Sequence, residues 1–92
     1  MVKKDEIQIT GYLKILDNND IIDFIEEVEF EGNNEDEIFE EIKKYLIEKL
    51  SECTDLEIEE IEENAIYLKG TEYFALICDK YICEYYFERI EE

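Results

Sequence analysis

The sequence contains no histidine and no proline, and it has only three glycines and three cysteines. Without histidine, the chain lacks a common zinc ligand and the usual base that activates a cysteine nucleophile. Three glycines are too few for a phosphate-binding loop of the glycine-rich kind. These absences argue against an enzyme of the metal-dependent, cysteine-dependent or nucleotide-dependent classes. The sequence therefore predicts no cofactor, no metal site and no catalytic residues.

Basic residues are also scarce, because nine lysines and arginines stand against 28 acids and leave a net charge of −19. A charge this large destabilises a folded domain by self-repulsion, and it exceeds the roughly 2–8 charges that suffice for solubility. We infer that the negative field has a use. It should repel nucleic acid and anionic membranes and attract basic proteins. The apolar content of 46% and the aromatic content of 13% exclude a disordered acidic tail.

Long hydrophobic segments are absent as well. The longest apolar run, residues 73–78, falls far short of the roughly 20 residues that span a membrane. The start of the chain, Met1-Val2-Lys3-Lys4, leads into Asp5-Glu6, so we expect no signal peptide. An odd number of cysteines does not make a disulfide framework, which favours a reducing cytoplasm. At 92 residues, the chain predicts one domain over 1–92.

The first third of the chain predicts a β-hairpin. Residues 5–16 and 21–31 alternate between apolar and polar side chains with a period of two. A two-residue turn at Asn18-Asn19 would pair residues whose numbers sum to 37. The predicted pairs are Ile15–Ile22, Leu13–Phe24, Ile9–Val28 and Ile7–Phe30 on one face, with Lys14–Asp23 on the other.

A helix and further strands are predicted after the hairpin. Asn34 followed by Glu37 indicates a capping box, and apolar residues then recur at helical spacing over about 35–53. Alternation predicts strands over 55–61, 65–69, 72–78 and 81–90. The predicted fold class is α+β, with an antiparallel sheet of four to five strands in the order ββαββ(β) and one helix packed on one face.

Few side chains are candidates for chemistry. Glu26 and Glu84 each interrupt an apolar face and are the only candidates for acid–base work. A position at an opening in the core, or one turned to solvent by the strand twist, explains them better. Cys78 and Cys83 would face each other if the last hairpin had a four-residue loop, but not with a two-residue loop. The sequence leaves both registers open.

Regularly spaced glutamates are the main candidate for a functional surface. On one strand face, side chains repeat every 6.6–6.8 Å or so, and on the outward side of a helix they recur every three or four residues. Rows of carboxylates on rigid elements resemble a row of backbone phosphates, although most charged runs are ordinary solvated faces. The candidate partner-binding residues are Glu27, Glu29 and Glu31 on the second strand, Glu37, Glu40 and Glu41 on the helix, and Glu57, Glu59, Glu60, Glu62 and Glu63 after it.

Glutamates also interleave with aromatic residues in Glu72-Tyr73-Phe74 and in Glu84-Tyr85-Tyr86-Phe87-Glu88. In size, charge and these segments, the whole chain resembles small acidic inhibitors encoded by phages and mobile elements, in particular anti-CRISPR and DNA-mimic proteins. These families share no signature motif, so the resemblance assigns no residue. It implies a protein that blocks a basic nucleic-acid-binding effector, such as a Cas nuclease or surveillance complex. Many such inhibitors occupy the nucleic-acid channel of the effector, whereas others bind allosterically or act enzymatically, so the resemblance leaves the mechanism open.

Three alternatives to this function stay open. The first is an immunity protein that neutralises a basic bacterial nuclease toxin. The second is a small-molecule binder or enzyme with a pocket near Glu26 or Glu84. The third is a structural acidic subunit whose two-faced carboxyl-terminal strands form a homodimer.

Overall fold

Five antiparallel strands and two helices form the fold in a computed structural model that describes residues 6–90. In chain order they are β1 (Ile7–Asp17), β2 (Asp20–Gly32), α1 (Glu35–Cys53), α2 (Ile58–Asn64), β3 (Ile66–Lys69), β4 (Tyr73–Cys78) and β5 (Tyr81–Arg89). The sheet order is β2-β1-β5-β4-β3, so β5 is central and β2 and β3 are the edges. The predicted α+β class and its ββαββ(β) order are confirmed, with α2 as an additional short helix.

Both ends of the predicted domain, 1–5 and 91–92, lie outside the described residues, and so does the segment Met1-Val2-Lys3-Lys4 on which the expectation of no signal peptide is based. Within 6–90, neither helix is long and apolar enough to cross a membrane.

Helix α1 begins and ends at the predicted residues. The Asn34 side-chain oxygen accepts a hydrogen bond from the Glu37 N–H at 3.0 Å, and the Glu37 carboxylate accepts one from the Asn33 N–H at 2.9 Å. These bonds satisfy amide donors that have no partner within the helix. The apolar side of α1 is buried against the sheet through Ile38, Ile42, Leu46, Ile47 and Leu50.

The core lies between α1 and one face of the sheet, which we call the inner face. Tyr85 stands at its centre with no exposed surface, and its hydroxyl donates to the Val28 carbonyl at 2.7 Å. Phe30 packs edge-on against both Tyr85 and Tyr45, with ring centroids 5.4 and 5.5 Å apart. The opposite side of the sheet, the outer face, carries no helix. The fold therefore has two layers, and one side of its sheet meets solvent.

The β1–β2 register departs from the predicted one because β2 contains two β-bulges. Asn18 and Asn19 form the predicted turn, with φ angles of 54° and 74°. Beyond the turn, Ile22 is an extra residue on β2, and farther along Glu26 and Glu27 both lie opposite Tyr12. The observed pairs are Ile15–Asp23, Lys14–Phe24, Leu13–Ile25, Gly11–Val28, Ile9–Phe30 and Ile7–Gly32.

The five predicted cross-strand pairs are therefore wrong. Each bulge shifts β2 by one residue, and a shift of one residue moves side chains to the other face. Val28 and Phe30 still pack against the core, as predicted. Ile22 and Phe24, which were predicted on the same face, are instead 43% and 50% exposed.

The strand predicted over 55–61 is also wrong, since α1 is followed by a short loop and then by α2. The Thr54 hydroxyl donates to the Leu50 carbonyl at 2.7 Å and closes the end of α1. The apolar residues that follow fit a helical spacing as well as an alternating one. Burial of Ile61, which has no exposed surface, holds α2 in place.

The last hairpin resolves the question of the cysteines. Asp79 and Lys80 form a two-residue loop, with a φ of 59° at Asp79. In this register Cys83 lies opposite Leu76, and Cys78 lies opposite Tyr81. Cys78 and Cys83 therefore do not face each other, and both are free thiols.

Gly11 provides a test of the sheet geometry, because β1 and β5 approach closely there. A Cβ atom at this position would lie 1.9 Å from the Tyr86 carbonyl oxygen and 2.6 Å from the Phe87 Cα. Both are backbone atoms, so the strands would have to separate. We expect Gly11→Ala to cost about 2–3 kcal/mol of unfolding free energy. In a domain of this size that lowers the melting temperature by about 10–15 °C, measurable by circular dichroism.

Gly70→Ala is the matched control. The nearest atom to its added Cβ is the Tyr73 Cβ at 3.5 Å, an ordinary contact. We expect a change within about 0.5 kcal/mol. Equal stability of the Gly11→Ala protein and the wild type would contradict the close approach of β1 and β5.

Candidate functional site

The eleven predicted glutamates are all exposed, but they lie on different sides of the molecule. On β2 they alternate with Val28 and Phe30, which face α1, so they face away from that helix. Those on α1 lie on its solvent side, across the molecule. We name three groups: the β2 row (Glu27, Glu29, Glu31), the α1 row (Glu37, Glu40, Glu41) and the α2 group (Glu57, Glu59, Glu60, Glu62, Glu63).

The α2 group does not have the predicted geometry. Glu57 and Glu59 were predicted on one face of a strand, whereas Glu57 precedes α2 and Glu59 lies in its first turn. Helical spacing instead places Glu59 near Glu62 and Glu63, three and four residues on. The buried Ile61 packs α2 against the core, so the helix that carries these carboxylates is held in a fixed position.

Few of the eleven carboxylates meet a cation. Four ion pairs form between residues of the 6–90 segment, and only one includes a predicted glutamate, Glu40, which lies 3.7 Å from Lys43. Glu37 and Glu60 accept backbone N–H groups near the starts of α1 and α2, at 2.9 and 3.4 Å. These hydrogen bonds give Glu37 and Glu60 a structural role but leave their charge in place.

A cleft in the outer face gathers carboxylates that the sequence analysis missed as partner-binding residues. It is open, has a volume of about 540 Å³, and is lined by Glu26, Glu27, Glu72 and Glu88 together with Tyr12, Tyr86 and neighbouring atoms. Of these acids, Glu27 was predicted as a partner-binding residue, and Glu26 as an acid–base candidate beside a possible pocket. The sequence signal that could have found the missed carboxylates is the interleaving of glutamates with aromatic residues. Because alternate residues of a strand lie on the same face, this interleaving places glutamates and aromatic rings together on one face of the sheet.

Four aromatic rings cross the outer face beside this cleft. They are Phe24 on β2, Tyr12 on β1, Tyr86 on β5 and Tyr73 on β4, and we call them the aromatic row. Successive ring centroids are 5.6, 5.2 and 4.9 Å apart. Tyr12 is 39% exposed and Phe24 is 50% exposed. The outer face thus combines exposed rings with unneutralised carboxylates.

Glu26 and Glu84 are not brought together as an acid–base pair. Glu26 is exposed at the cleft, whereas Glu84 lies on β5, with β1 between them. Glu84 accepts a hydrogen bond from the Tyr73 hydroxyl at 3.3 Å and lies 3.8 Å from the Lys14 ammonium. Burial and the nearby Glu84 charge raise the pKa of Tyr73 to about 12, so this hydroxyl stays a donor.

The thiols are not arranged as nucleophiles. Burial raises the pKa of Cys83 to about 12. Burial, together with a 3.4 Å hydrogen bond to the Asp23 carboxylate, also raises the pKa of Cys53. Within the described part of the chain, no three histidine, cysteine, aspartate or glutamate side chains are grouped so as to hold a metal ion.

Comparison of the chain with protein-family models, with curated proteins and with solved structures finds no match in any of the three.

Thiol labelling tests this description of the cysteines. At pH 8 we expect Cys53 to react with a disulfide reagent more slowly than a free thiol, because a raised pKa leaves less thiolate. Cys78 and Cys83 should react only after unfolding. Asp23→Asn should speed the labelling of Cys53, whereas Asp20→Asn, an exposed acid on the same strand, should leave it unchanged. Rapid labelling of Cys83 in the folded protein would contradict its burial.

Proposed function

We propose that this protein is a non-enzymatic inhibitor that binds a basic nucleic-acid-binding effector, such as a Cas nuclease or surveillance complex, and occupies its nucleic-acid site. The observation that carries the proposal is the uncompensated charge of the folded surface. Residues 6–90 contain 25 acids and seven bases, a net charge of −18. Only four of these acids lie in ion pairs with other described residues.

The charge density supports this proposal when it is compared with that of DNA. The molecule measures 47 × 24 × 21 Å. A duplex 47 Å long would carry about 28 phosphates, because B-DNA has one negative charge per 1.7 Å or so. The net charge of −18 is about two thirds of that value. A lysine- and arginine-lined site for nucleic acid would therefore attract the protein strongly.

The distribution of the carboxylates favours an enclosing site over a flat one. The β2 row and the α1 row face opposite sides, so a flat basic surface would meet only one of them. A channel or cleft that surrounds its nucleic acid would meet both. The same field repels nucleic acid, so we propose that the protein does not bind DNA or RNA directly. We place its action in the cytoplasm, where such effectors work.

Capture from a host-type lysate tests the proposal. The lysate is treated with nuclease, and proteins bound at about 50 mM salt are identified by mass spectrometry. We expect a basic nucleic-acid-binding protein that added duplex DNA or RNA displaces. Retention of a partner regardless of added nucleic acid would contradict mimicry. A captured nuclease toxin without any Cas effector would support the immunity-protein alternative.

Charge-matched variants locate the contact. Glu27→Gln/Glu29→Gln/Glu31→Gln and Glu59→Gln/Glu62→Gln/Glu63→Gln each remove three negative charges, so general attraction to a basic protein falls equally in both. The variant whose row directly contacts the effector should lose more affinity than the other, by about tenfold or more. Each phosphate-like contact that is removed contributes separately to binding. A single Glu84→Gln change should leave inhibition in place, because the Glu84 carboxylate already lies beside Lys14 and accepts from Tyr73. Loss of inhibition with this change would instead support an enzyme.

A further inference from the structure

We propose that the outer face is the docking site for an arginine-bearing segment of the basic partner, with guanidinium groups lying on the aromatic row and paired with the carboxylates of the cleft. This inference rests on the proposed function for the basic character of the partner. It adds which face takes the arginine-bearing segment and which side chain is recognised.

The aromatic row provides a rigid floor. Its four rings stand on four neighbouring strands, so the row spans about 14 Å at the usual strand spacing. Tyr12 stacks on Tyr86 with an interplanar angle of 27°, and the Tyr73 ring lies 4.9 Å from that of Tyr86 at a tilt of 53°. Rings that already pack against one another lose little conformational freedom on binding, which is why tyrosine is effective at interfaces.

The rim of the cleft supplies the charge. Glu26 and Glu27 come from the bulge in β2, Glu72 from the loop before β4, and Glu88 from the end of β5. All four are exposed, and none joins an ion pair with another described residue. Each can therefore pair with a cation brought by a partner without losing an existing bond.

A cation of the protein itself already occupies the middle of the row. The Lys14 ammonium lies 5.5 Å from the centroid of the Tyr86 ring and 3.8 Å from a Glu84 oxygen. The same combination of ring and carboxylate recurs at the cleft, where Tyr12 and Tyr86 lie beside four acids. An arginine fits this combination better than a lysine, because its planar guanidinium stacks on a ring and pairs with a carboxylate through two parallel hydrogen bonds.

Charge also argues against a second copy of this chain as the occupant. An exposed sheet face with Tyr12 and Phe24 is apolar enough to attract another such face. In a twofold dimer, however, the same patch meets itself, and the four rim carboxylates would face another four. With a net charge of −19 on each copy, repulsion opposes this contact. A positively charged partner removes the repulsion.

Two peptides of equal charge test the inference on the purified protein. We titrate nona-arginine and nona-lysine separately into ¹⁵N-labelled protein and follow the amide signals. Each exposed cation–π contact is worth about two- to fivefold in affinity. Lysine can also lie over a ring, but only arginine stacks flat on it while pairing with a carboxylate through two hydrogen bonds. We therefore expect nona-arginine to bind at least about fivefold more tightly through several such contacts, with the largest shifts at Gly11–Lys14 and Tyr85–Glu88.

Variants measure the contribution of the rings to binding separately from that of the carboxylates. Tyr12→Leu should reduce the arginine preference to within about twofold, because it removes the most exposed tyrosine of the row. Glu26→Gln/Glu88→Gln should weaken both peptides more than Glu40→Gln/Glu41→Gln does, although both double variants remove two charges. This second comparison stands on its own if Tyr12→Leu fails to fold, which its amide spectrum would reveal.

Three results would overturn the inference: equal affinity for the two peptides, shifts confined to α1, or concentration-dependent self-association through the outer face. These failures differ from failure of the proposed function. An arginine preference without any captured basic effector would contradict the function and leave the docking face intact. A captured effector whose binding is unaffected by Tyr12→Leu and by Glu26→Gln/Glu88→Gln would contradict the docking face alone.

Discussion

Apolar packing between α1 and the inner face of the sheet holds together a chain whose charges repel one another. Ile42, Leu46 and Leu50 on the helix and Leu13 and Tyr85 on the sheet have no exposed surface. No charged side chain is buried anywhere in the described segment. Each charged residue of this segment keeps part of its side chain exposed, although the Asp17 Oδ1 atom is buried, and water reduces the repulsion that folding must overcome. No charged residue belongs to the core.

Because the helices pack on the inner face of the sheet, its outer face is left uncovered. A five-stranded sheet with a single covering layer leaves its outer face to solvent, and here that face is not simply polar. It carries the aromatic row, and glutamates from three separate segments surround the adjoining cleft. Negative charge and exposed rings, the two properties that suit a basic partner, therefore both occur on the face that no helix covers. In the proposed function, the carboxylates would set the field that attracts a basic partner, and the rings would provide a defined place for it to dock.

The sequence predicts the elements of this fold better than their pairing. Helix α1 is confirmed because a capping box and a long apolar stripe both mark it. The turn at Asn18-Asn19 is confirmed because asparagine tolerates positive φ. The bulges in β2 escape detection, since an inserted residue changes the register without leaving a signal in the alternation. Helix α2 is missed because its few apolar residues fit either period.

The same reasoning explains what was found and missed at the site. Exposure of the predicted glutamates follows from their charge, because unpaired glutamates are rarely buried in a strand or in a helix. It therefore holds for all eleven, although the strand predicted for Glu57 and Glu59 is wrong. The directions in which these glutamates point depend on how the helix packs on the sheet. This packing places the β2 row and the α1 row on opposite sides of the molecule. The cleft depends on register, because it joins Glu26, Glu72 and Glu88 across more than 60 residues of chain. The pairing of β1 with β2 and β5 brings Glu26 and Glu88 together, and the pairing of β5 with β4 adds Glu72.

The salt dependence of binding to the captured effector tests the central claim most directly. If the protein replaces a nucleic acid, six to ten cations of the effector should contact carboxylates as they contact phosphates. Affinity should then fall by about 10³–10⁵ between 50 and 200 mM salt, in parallel with the effector's affinity for its own nucleic acid. An affinity that stays within about threefold over this range, while nucleic acid binding weakens as expected, would contradict the account.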